Sequence, residues 1–478
     1  MVMKVHQHII RRWNRPGGYR EVLTLAVPLI LSTGAWSVQH FVDRMFLTWY
    51  SPETIAAAMP AGILNFTVMS LFIGTASYVG TFVAQYYGSK QMDRIGPALW
   101  QGVYIAFIAG IVHLLMIPLA EDIFRIIGHE TIVQQSEVIY FQMLCLGAMP
   151  LVASSAFSGF FTGRGKTWPV MWINVLATVI NLTLDYLLIF GRGGFPELGI
   201  KGAGIATSIS ACFSCLFYVL LILRPTYNRR YNTIRGWRLD SDLFTRLMKF
   251  GLPSGIQFFL DILGFTLFIL LIGRLGTINL AASNIAFNIN TLAFMPMIGI
   301  GIAISIMVGQ YLGKQQPELA ETSTYAGFQL TTVYMGTIAL LYALVPDIFL
   351  APFAAQADPE SFETIRRIAV VLLRFVAIYS LFDTMNIIFA SAIKGAGDTR
   401  FVMYMITLVS AIVLVIPSYI ALAIFDMGLY ACWSFATVYI IVLGVIFLIR
   451  FRGGKWKSML VIEIPPVPPS LPETPMPE

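Results

Sequence analysis

Four aspartates, Asp43, Asp185, Asp261 and Asp383, lie inside stretches otherwise apolar enough to cross a bilayer. An ionised Asp at the centre of a membrane helix costs about 2.5 to 3.5 kcal/mol on insertion scales. Each therefore needs an offset: Arg44 or Arg374 nearby, a neighbouring helix, a water-filled cavity or a bound ion. Asn181 and Asp185 are four residues apart and share a helical face, and His40 and Asp43, three apart, share another. Both helices start from the same side, and at 1.5 Å per residue Asp43 and Asp185 reach similar depths, roughly 26 to 29 Å from the start of their spans. Two carboxylates that approach each other in a low dielectric cannot both stay ionised cheaply, so either a cation binds between them or one takes a proton. Competition between cation and proton is a coupling mechanism. For His40, hydrogen-bonded packing is the first expectation and a proton relay the second.

The elements that must hold these acids are set by composition. Of 478 residues 57% are hydrophobic and only 12% charged, too few to build the polar surface of a soluble protein of this size. An all-α integral membrane protein follows, with spans drawn at about 24 to 50, 60 to 86, 97 to 118, 136 to 162, 168 to 191 and 203 to 224, then 247 to 273, 282 to 312, 323 to 346, 367 to 393, 401 to 425 and 428 to 450. Basic residues gather at the amino end (Arg11, Arg12, Arg15, Arg20), between the halves (Arg224 to Lys249) and at the carboxy end (Arg450 to Lys457), which predicts that both termini are cytoplasmic. Lys90, Arg164, Lys314 and Lys394 fall on the same side. The net charge of +6 therefore reports orientation, and nucleic acid is not an expected partner. No cleavable signal peptide is visible, because the basic start runs directly into a full-length span.

The expected segments are an amino-terminal stretch 1–20, a first lobe 21–224, a linker 225–246, a second lobe 247–452 and a proline-rich tail 453–478, disordered at least from Ile462 onward. The four cysteines fall within spans and read as packing residues, since the Cys212 and Cys215 pair has no second pair to complete a zinc site. The histidines show no metal-ligand spacing. Gly165, Lys166 and Thr167 lack the first glycine of a phosphate loop, which would fall on Phe160, and mark a helix-to-helix turn instead. Gly88, Asp93, Arg94 and Gly96 echo the signature loop of major facilitator transporters without its closing basic pair. Neither a catalytic set nor a cofactor motif emerges, so an enzyme is not the expectation.

The chain also repeats itself. At an offset of 225, Pro28 falls on Pro253, Asn65 on Asn290, Gly74 on Gly299, and Gln85, Tyr86, Gly88 and Gln91 on Gln310, Tyr311, Gly313 and Gln316; at 232, Gly163, Gly165 and Thr167 fall on Gly395, Gly397 and Thr399. Six spans per half make the repeat parallel, two pseudo-symmetric lobes that can rock about a site between them. The acids do not obey it: Asp43 falls on Phe268, Asp261 on Trp36 and Asp185 on Pro417. Scaffold is duplicated and chemistry is not, which points to a cation site in the first lobe and a different task, substrate or a second cation, in the other. Carboxylates and aromatic faces would draw amphipathic cations, with Phe258, Phe259, Phe265, Phe287, Phe294, Met295 and Met297 as candidate lining.

Pro28 with Phe41 to Asp43, Asn181 to Asp185, Gly202 to Thr207, Gly309 to Gly313 and Lys394 to Thr399, in this order, make the chain resemble the multidrug and toxic compound extrusion family over about residues 20 to 450. The resemblance implies a V-shaped pair of six-helix lobes around a central cleft, a monomer in a cell membrane, such as a bacterial inner membrane, and export of drugs or organic cations in exchange for Na+ or H+. It assigns Asp43, Asn181, Asp185 and Thr207 to the cation site, and Asp261, Tyr379 and Asp383 to a second-lobe cation or substrate site. Ile393 to Gly395 departs from the family's usual leucine and arginine, and glutamate is more usual at Asp261 in the sodium-coupled bacterial branch. A lipid or lipid-linked oligosaccharide flippase of the wider superfamily is the alternative; it would call for basic residues in the cleft, and the spans hold few, mainly Arg44 and Arg374.

Overall fold

The structure, a computed structural model, describes residues 13–354 and 359–463. Every regular element among them is helical, as hydrocarbon demands of a backbone that must satisfy its own hydrogen bonds. Eleven helices are each long and apolar enough to span a membrane, and a bent pair, Thr131–Leu146 and Ala148–Gly163 at 43°, supplies a twelfth crossing. The first half runs α1 (Tyr19–Tyr50), α2 (Pro52–Ser77), α3 (Val79–Gly88), α4 (Ile95–Met116), a short α5 (Ala120–Ile127), the bent pair α6 and α7, α8 (Thr167–Ile189) and α9 (Ile200–Ile222). A linker helix α10 (Pro225–Tyr231) leads to α11 (Ser241–Gly273), α12 (Thr277–Gly313), α13 (Pro317–Leu344), short α14 (Pro346–Ala354) and α15 (Pro359–Ala396). The half closes with α16 (Thr399–Val409), which passes through a π-turn, Ser410–Val415, into α17 (Ile416–Ala423), and with α18 (Leu429–Arg452).

Local signals explain where these helices begin. The second span starts at Pro52, earlier than hydropathy places it, because Ser51 accepts a hydrogen bond from the Thr54 backbone N–H and Pro52 occupies the first turn, where its missing N–H costs nothing. Asp240 caps α11 in the same way through Leu243 N. The turns at Gly165 and Gly397 take φ of +74° and +117°, a left-handed region open to glycine, so the duplicated GxGxT runs are helix-to-helix turns.

The two halves meet through α1 against α12 and α2 against α11. Helix α1 belongs to both lobes: Val22, Leu25, Ala26 and Leu29 are buried in a core with α12 and α15, whereas Leu47 packs with Ala57, Ile189 and Ala203 of the first lobe. At the end that carries both termini, the repeated residues form a pseudo-symmetric clasp. Gln85 Nε2 donates to Gly395 O at 3.1 Å, and its repeat mate Gln310 Nε2 donates to Gly163 O at 2.8 Å. Tyr311 donates its hydroxyl to Glu21 at 2.7 Å, and Tyr86 donates to Glu463 at 3.5 Å.

Glu463 corrects the expectation of a disordered tail from 453. Trp456, 1% exposed, stacks on Phe451 with ring centroids 4.8 Å apart, and Val461 and Ile462 are buried in the first-lobe core. Val461 N donates to Gln85 Oε1 at 2.8 Å, and the Glu463 carboxylate pairs with Arg94 at 3.5 Å and Arg246 at 3.4 Å. Proline content hid this segment, yet its first proline is Pro465; before it, Trp456, Val461 and Ile462 supply enough apolar area to fix the chain. Residues 464–478 and the amino-terminal 1–12, with His6 and His8, lie outside the described residues.

The Gln85 side chain thus serves Gly395, Ala396 and Val461, and that of Gln310 Gly163 alone among the described residues. Gln85→Leu strands the buried Gly395 carbonyl and the Val461 amide, at about 1 to 3 kcal/mol per unpaired group, and should lower the melting temperature of the purified protein more than Gln310→Leu does; equal melting of the two variants would contradict this account of the clasp.

Candidate ion-coupling and substrate sites

A polar ladder joins α1 to α8. Asn174 Nδ2 donates to Ser32 Oγ at 2.5 Å and Thr178 Oγ1 to Gln39 Oε1 at 3.4 Å. One turn further in, Asn181 lies between the acids. With its amide oriented to suit both carboxylates, Asn181 donates to Asp43 Oδ1 at 3.0 Å and Asp185 Oδ2 at 3.2 Å, and the Gln39 amide nitrogen is 3.0 Å away. Asn181 and Asp185 are fully buried and Asp43 is 8% exposed. The two carboxyl groups share Asn181 as a common partner, and Asp185 Oδ1 has no protein partner among the described residues. Arg44 is exposed and forms no ion pair with Asp43 among the described residues. Two carboxyls bridged by one amide, one oxygen unpaired and no paired arginine make a seat for one positive charge.

Thr207 lies on α9, which packs beside α8, but its hydroxyl makes no hydrogen bond to either acid among the described residues. His40 sits edge-on to Trp36 with ring centroids 4.7 Å apart and is not hydrogen-bonded among the described residues. It is exposed and touches an aromatic ring in place of making the hydrogen bond expected, and among the described residues no polar chain links it to Asp43.

The second lobe gathers a different set. On α11, Gln257 Nε2 donates to Asp261 Oδ2 at 3.0 Å, and Gln257 Oε1 accepts from Lys394 Nζ at 3.1 Å. On α15, Asp383 Oδ1 accepts from Asn386 at 3.0 Å, and Tyr379, one turn earlier, accepts from Asn290 at 3.3 Å. Asp261 and Asp383 stand on different helices, and among the described residues no side chain bonds to both. Asp261 keeps partial exposure while Asp383 is 6% exposed. Lys394 occupies the last turn of α15, at the end where the sequence reading puts it, and its ammonium bonds to Gln257 of α11. Of the candidate lining residues, Phe287 stacks on Trp433 at 4.7 Å and Met297 is buried, so both belong to the lobe core. Phe258 meets Phe66 of the first lobe edge-on at 5.9 Å.

Gln39, Gln257 and Lys394 escaped the sequence reading. Two had a signal: Gln39 is four residues before Asp43, and Gln257 four before Asp261. A lysine within a helix that ends two residues later, at Ala396, is indistinguishable by sequence from a snorkelling one.

A family model described as MatE matches residues 28–187 and 253–420. Among curated proteins, the chain is 24% identical over 447 residues to a probable multidrug resistance protein NorM of Thermotoga maritima, covering 93% of this chain and 94% of that one. It is 26% identical over 426 residues to the multidrug resistance protein MdtK of Pectobacterium atrosepticum, covering 85% and 88%. Among solved structures, an outward-facing multidrug resistance MATE family transporter of the MOP superfamily superposes with a TM-score of 0.84 at 18% identity, covering 92% of this chain and 97% of that one. A MOP superfamily transporter from Pyrococcus furiosus, described as having a binding pocket of reverse polarity, gives 0.82 at 18%, with the same coverage.

Proposed function

This chain belongs to the MatE family, and on that premise we propose that it is a multi-pass membrane transporter that exports organic cations and other amphipathic drugs in exchange for Na+ or H+. The observation that carries the reading is the meeting of Asp43, Asn181 and Asp185 on facing helices with a free carboxylate oxygen and no arginine. Relatives named for multidrug resistance support the cargo class. In this account the clasped end faces the cytoplasm, as the basic residues around it suggest, and the chain acts as a monomer in a cell membrane, such as a bacterial inner membrane.

Helix α1 links ion to cleft. Pro28 lies inside it, where the missing N–H weakens the helix and lets it bend. The stretch around Pro28, from Val22 to Ile30, packs with the second lobe, and the part beyond it carries Asp43. A cation or proton held between Asp43 and Asp185 draws the outer part of α1 onto α8, and the change reaches the interlobe contact through the same helix. The drug is released outward when the ion binds, and the ion leaves to the cytoplasm to reset the site. Thr207, on the neighbouring α9, would complete a cation's ligand set as α1 moves, the role the family resemblance implies for it. Asp261, Tyr379 and Asp383 receive the drug, or a second cation, in the other lobe.

The alternative of a lipid or lipid-linked oligosaccharide flippase asks for a basic cleft, whereas Lys394 is outnumbered here by Asp261 and Asp383. A melting panel on the purified protein separates the two: tetraphenylphosphonium should raise the melting temperature and a polyprenyl phosphate should not. The reverse pattern would transfer the assignment to the flippase.

A further inference from the structure

We propose that residues 455–463 form an autoinhibitory strap across the clasped end: one end is fixed to the second lobe, and release of Val461, Ile462 and Glu463 from the first lobe sets how fast that end opens. This goes beyond the transport proposed above and needs only that the lobes part there, whatever the cargo or ion.

The two ends of the strap are held differently. Toward the second lobe, Trp456 is 1% exposed, stacks on Phe451 and donates its indole N–H to Phe451 O at 2.8 Å. Lys457 pairs with Glu321 at 2.7 Å and Glu318 at 3.2 Å, both on α13. By Val461 the chain has crossed to the other core, where Val461 and Ile462 are buried with residues of α3, α4 and the start of α11. Val461 itself fills the seam: its backbone N–H donates to Gln85 Oε1 at 2.8 Å, and its Cγ1 lies 2.9 Å from the place a β-carbon on Gly397 would take. Gln85 Nε2 donates to Gly395 O, so one amide joins strap and clasp. Parting of α3 from the Gly397 turn breaks one contact of Val461 or the other.

The first-lobe end is the one that can let go without leaving a charge unpaired. Glu463 is 33% exposed and pairs with Arg94 at 3.5 Å and Arg246 at 3.4 Å, and its carbonyl accepts from Gln91 Nε2 at 3.3 Å. When it leaves, Arg94 keeps Asp240 at 3.1 Å and Arg246 keeps Asp242 at 3.2 Å. Withdrawing Trp456 instead would empty a stacked, buried site and open both Lys457 pairs. The strap therefore stays with the second lobe and opens from the first, a local release within an otherwise folded chain.

The test follows an Ala84→Cys probe in the purified full chain. Ala84 is fully buried on α3 and its β-carbon faces Gly309 of α12, so a maleimide reaches it when the clasped end opens. Labelling at that residue, read by mass spectrometry, should run about tenfold faster with Val461→Asn, which forfeits a buried apolar contact, and severalfold faster with Glu463→Lys, whose ion pairs are partly exposed. The native thiols Cys145 and Cys432, both buried, should stay protected, which separates opening from unfolding. Labelling at the parent rate in both variants overturns the proposal. A second arm serves if these variants do not fold: Gln91→Cys with Glu463→Cys, bridged by a short bis-maleimide in everted vesicles, should lower ion-driven tetraphenylphosphonium transport about tenfold relative to the unbridged pair while binding of the cation persists. Undiminished transport with the strap bridged overturns the proposal equally. A wild type that transports no tetraphenylphosphonium removes the transport reading alone, since the labelling arm needs no cargo.

Discussion

Asp43→Asn and Asp185→Asn variants should reach the membrane in normal amounts, still bind organic cations, and lose ion-driven transport in everted vesicles. The amide keeps the size of the carboxyl and its carbonyl can still accept the Asn181 hydrogen bond, so the packing of α1 on α8 has no reason to fail. What is lost is the second negative charge. A seat made of two carboxyls and one amide attracts a cation or proton because both acids would otherwise be ionised around one amide; with one of them neutral, the pair is satisfied without an ion. Coupling between two ligands of one protein is typically worth 1 to 3 kcal/mol, and losing its upper range reduces the driven flux by about a hundredfold. Asp185→Asn should be the more severe, because Asp185 is fully buried and holds the unpaired oxygen. Immunoblots establish insertion and fluorescent-drug uptake measures the flux; two variants transporting at the wild-type rate would remove these acids from the coupling role.

Valine at Gly88 or Gly313 should arrest the cycle by a different route. A β-carbon on Gly88 would overlap the backbone oxygen of Gln310, and one on Gly313 would overlap that of Gln85. These are repeat mates at the clasp, and the obstruction is backbone, which has no rotamer to yield. Overpacking of this kind costs about 3 kcal/mol, a shift of about two orders of magnitude in the balance between closed and open at 1.4 kcal/mol per tenfold. Neither variant meets the ion site, so drug binding survives while alternation stops. A cysteine introduced near the clasp should react faster with a membrane-impermeant maleimide in Gly88→Val than in the parent. Equal reactivity together with normal transport would show that the halves do not close through these glycines.

The parts of this architecture that depend on period and composition were legible in the residues alone. Spans follow from apolar runs, the two halves from the Gln85 and Gln310 repeat, and the depth of Asp43 and Asp185 from helical rise. What the repeat does was not legible: that Gln85 and Gln310 each reach the glycine turn of the opposite half is a tertiary fact, since nothing local to either residue names a partner hundreds of positions away. Lys394 shows the limit most plainly. A basic residue near a helix end satisfies the charge rule for orientation whether its stem points out to water or back into the lobe, and only the Gln257 amide opposite it decides. The segment 453–463 shows the opposite limit: the tail's prolines begin only at Pro465, and Trp456 and Val461 before them carry the apolar area that fixes the chain.

The pairing of Asp43 with Asp185 as the ion seat is tested most directly by counting ions at equilibrium. Drug and ion bound in competition through one coupled cycle must each lower the other's affinity by the same factor. Adding tetraphenylphosphonium to the purified wild type in weak buffer should therefore displace a bound ion, either radioactive sodium or a proton seen by a pH dye, and the Asp185→Asn variant should release none while still binding the drug. Release of as many ions by Asp185→Asn as by the wild type, or drug binding to the wild type with no ion released, would contradict the account.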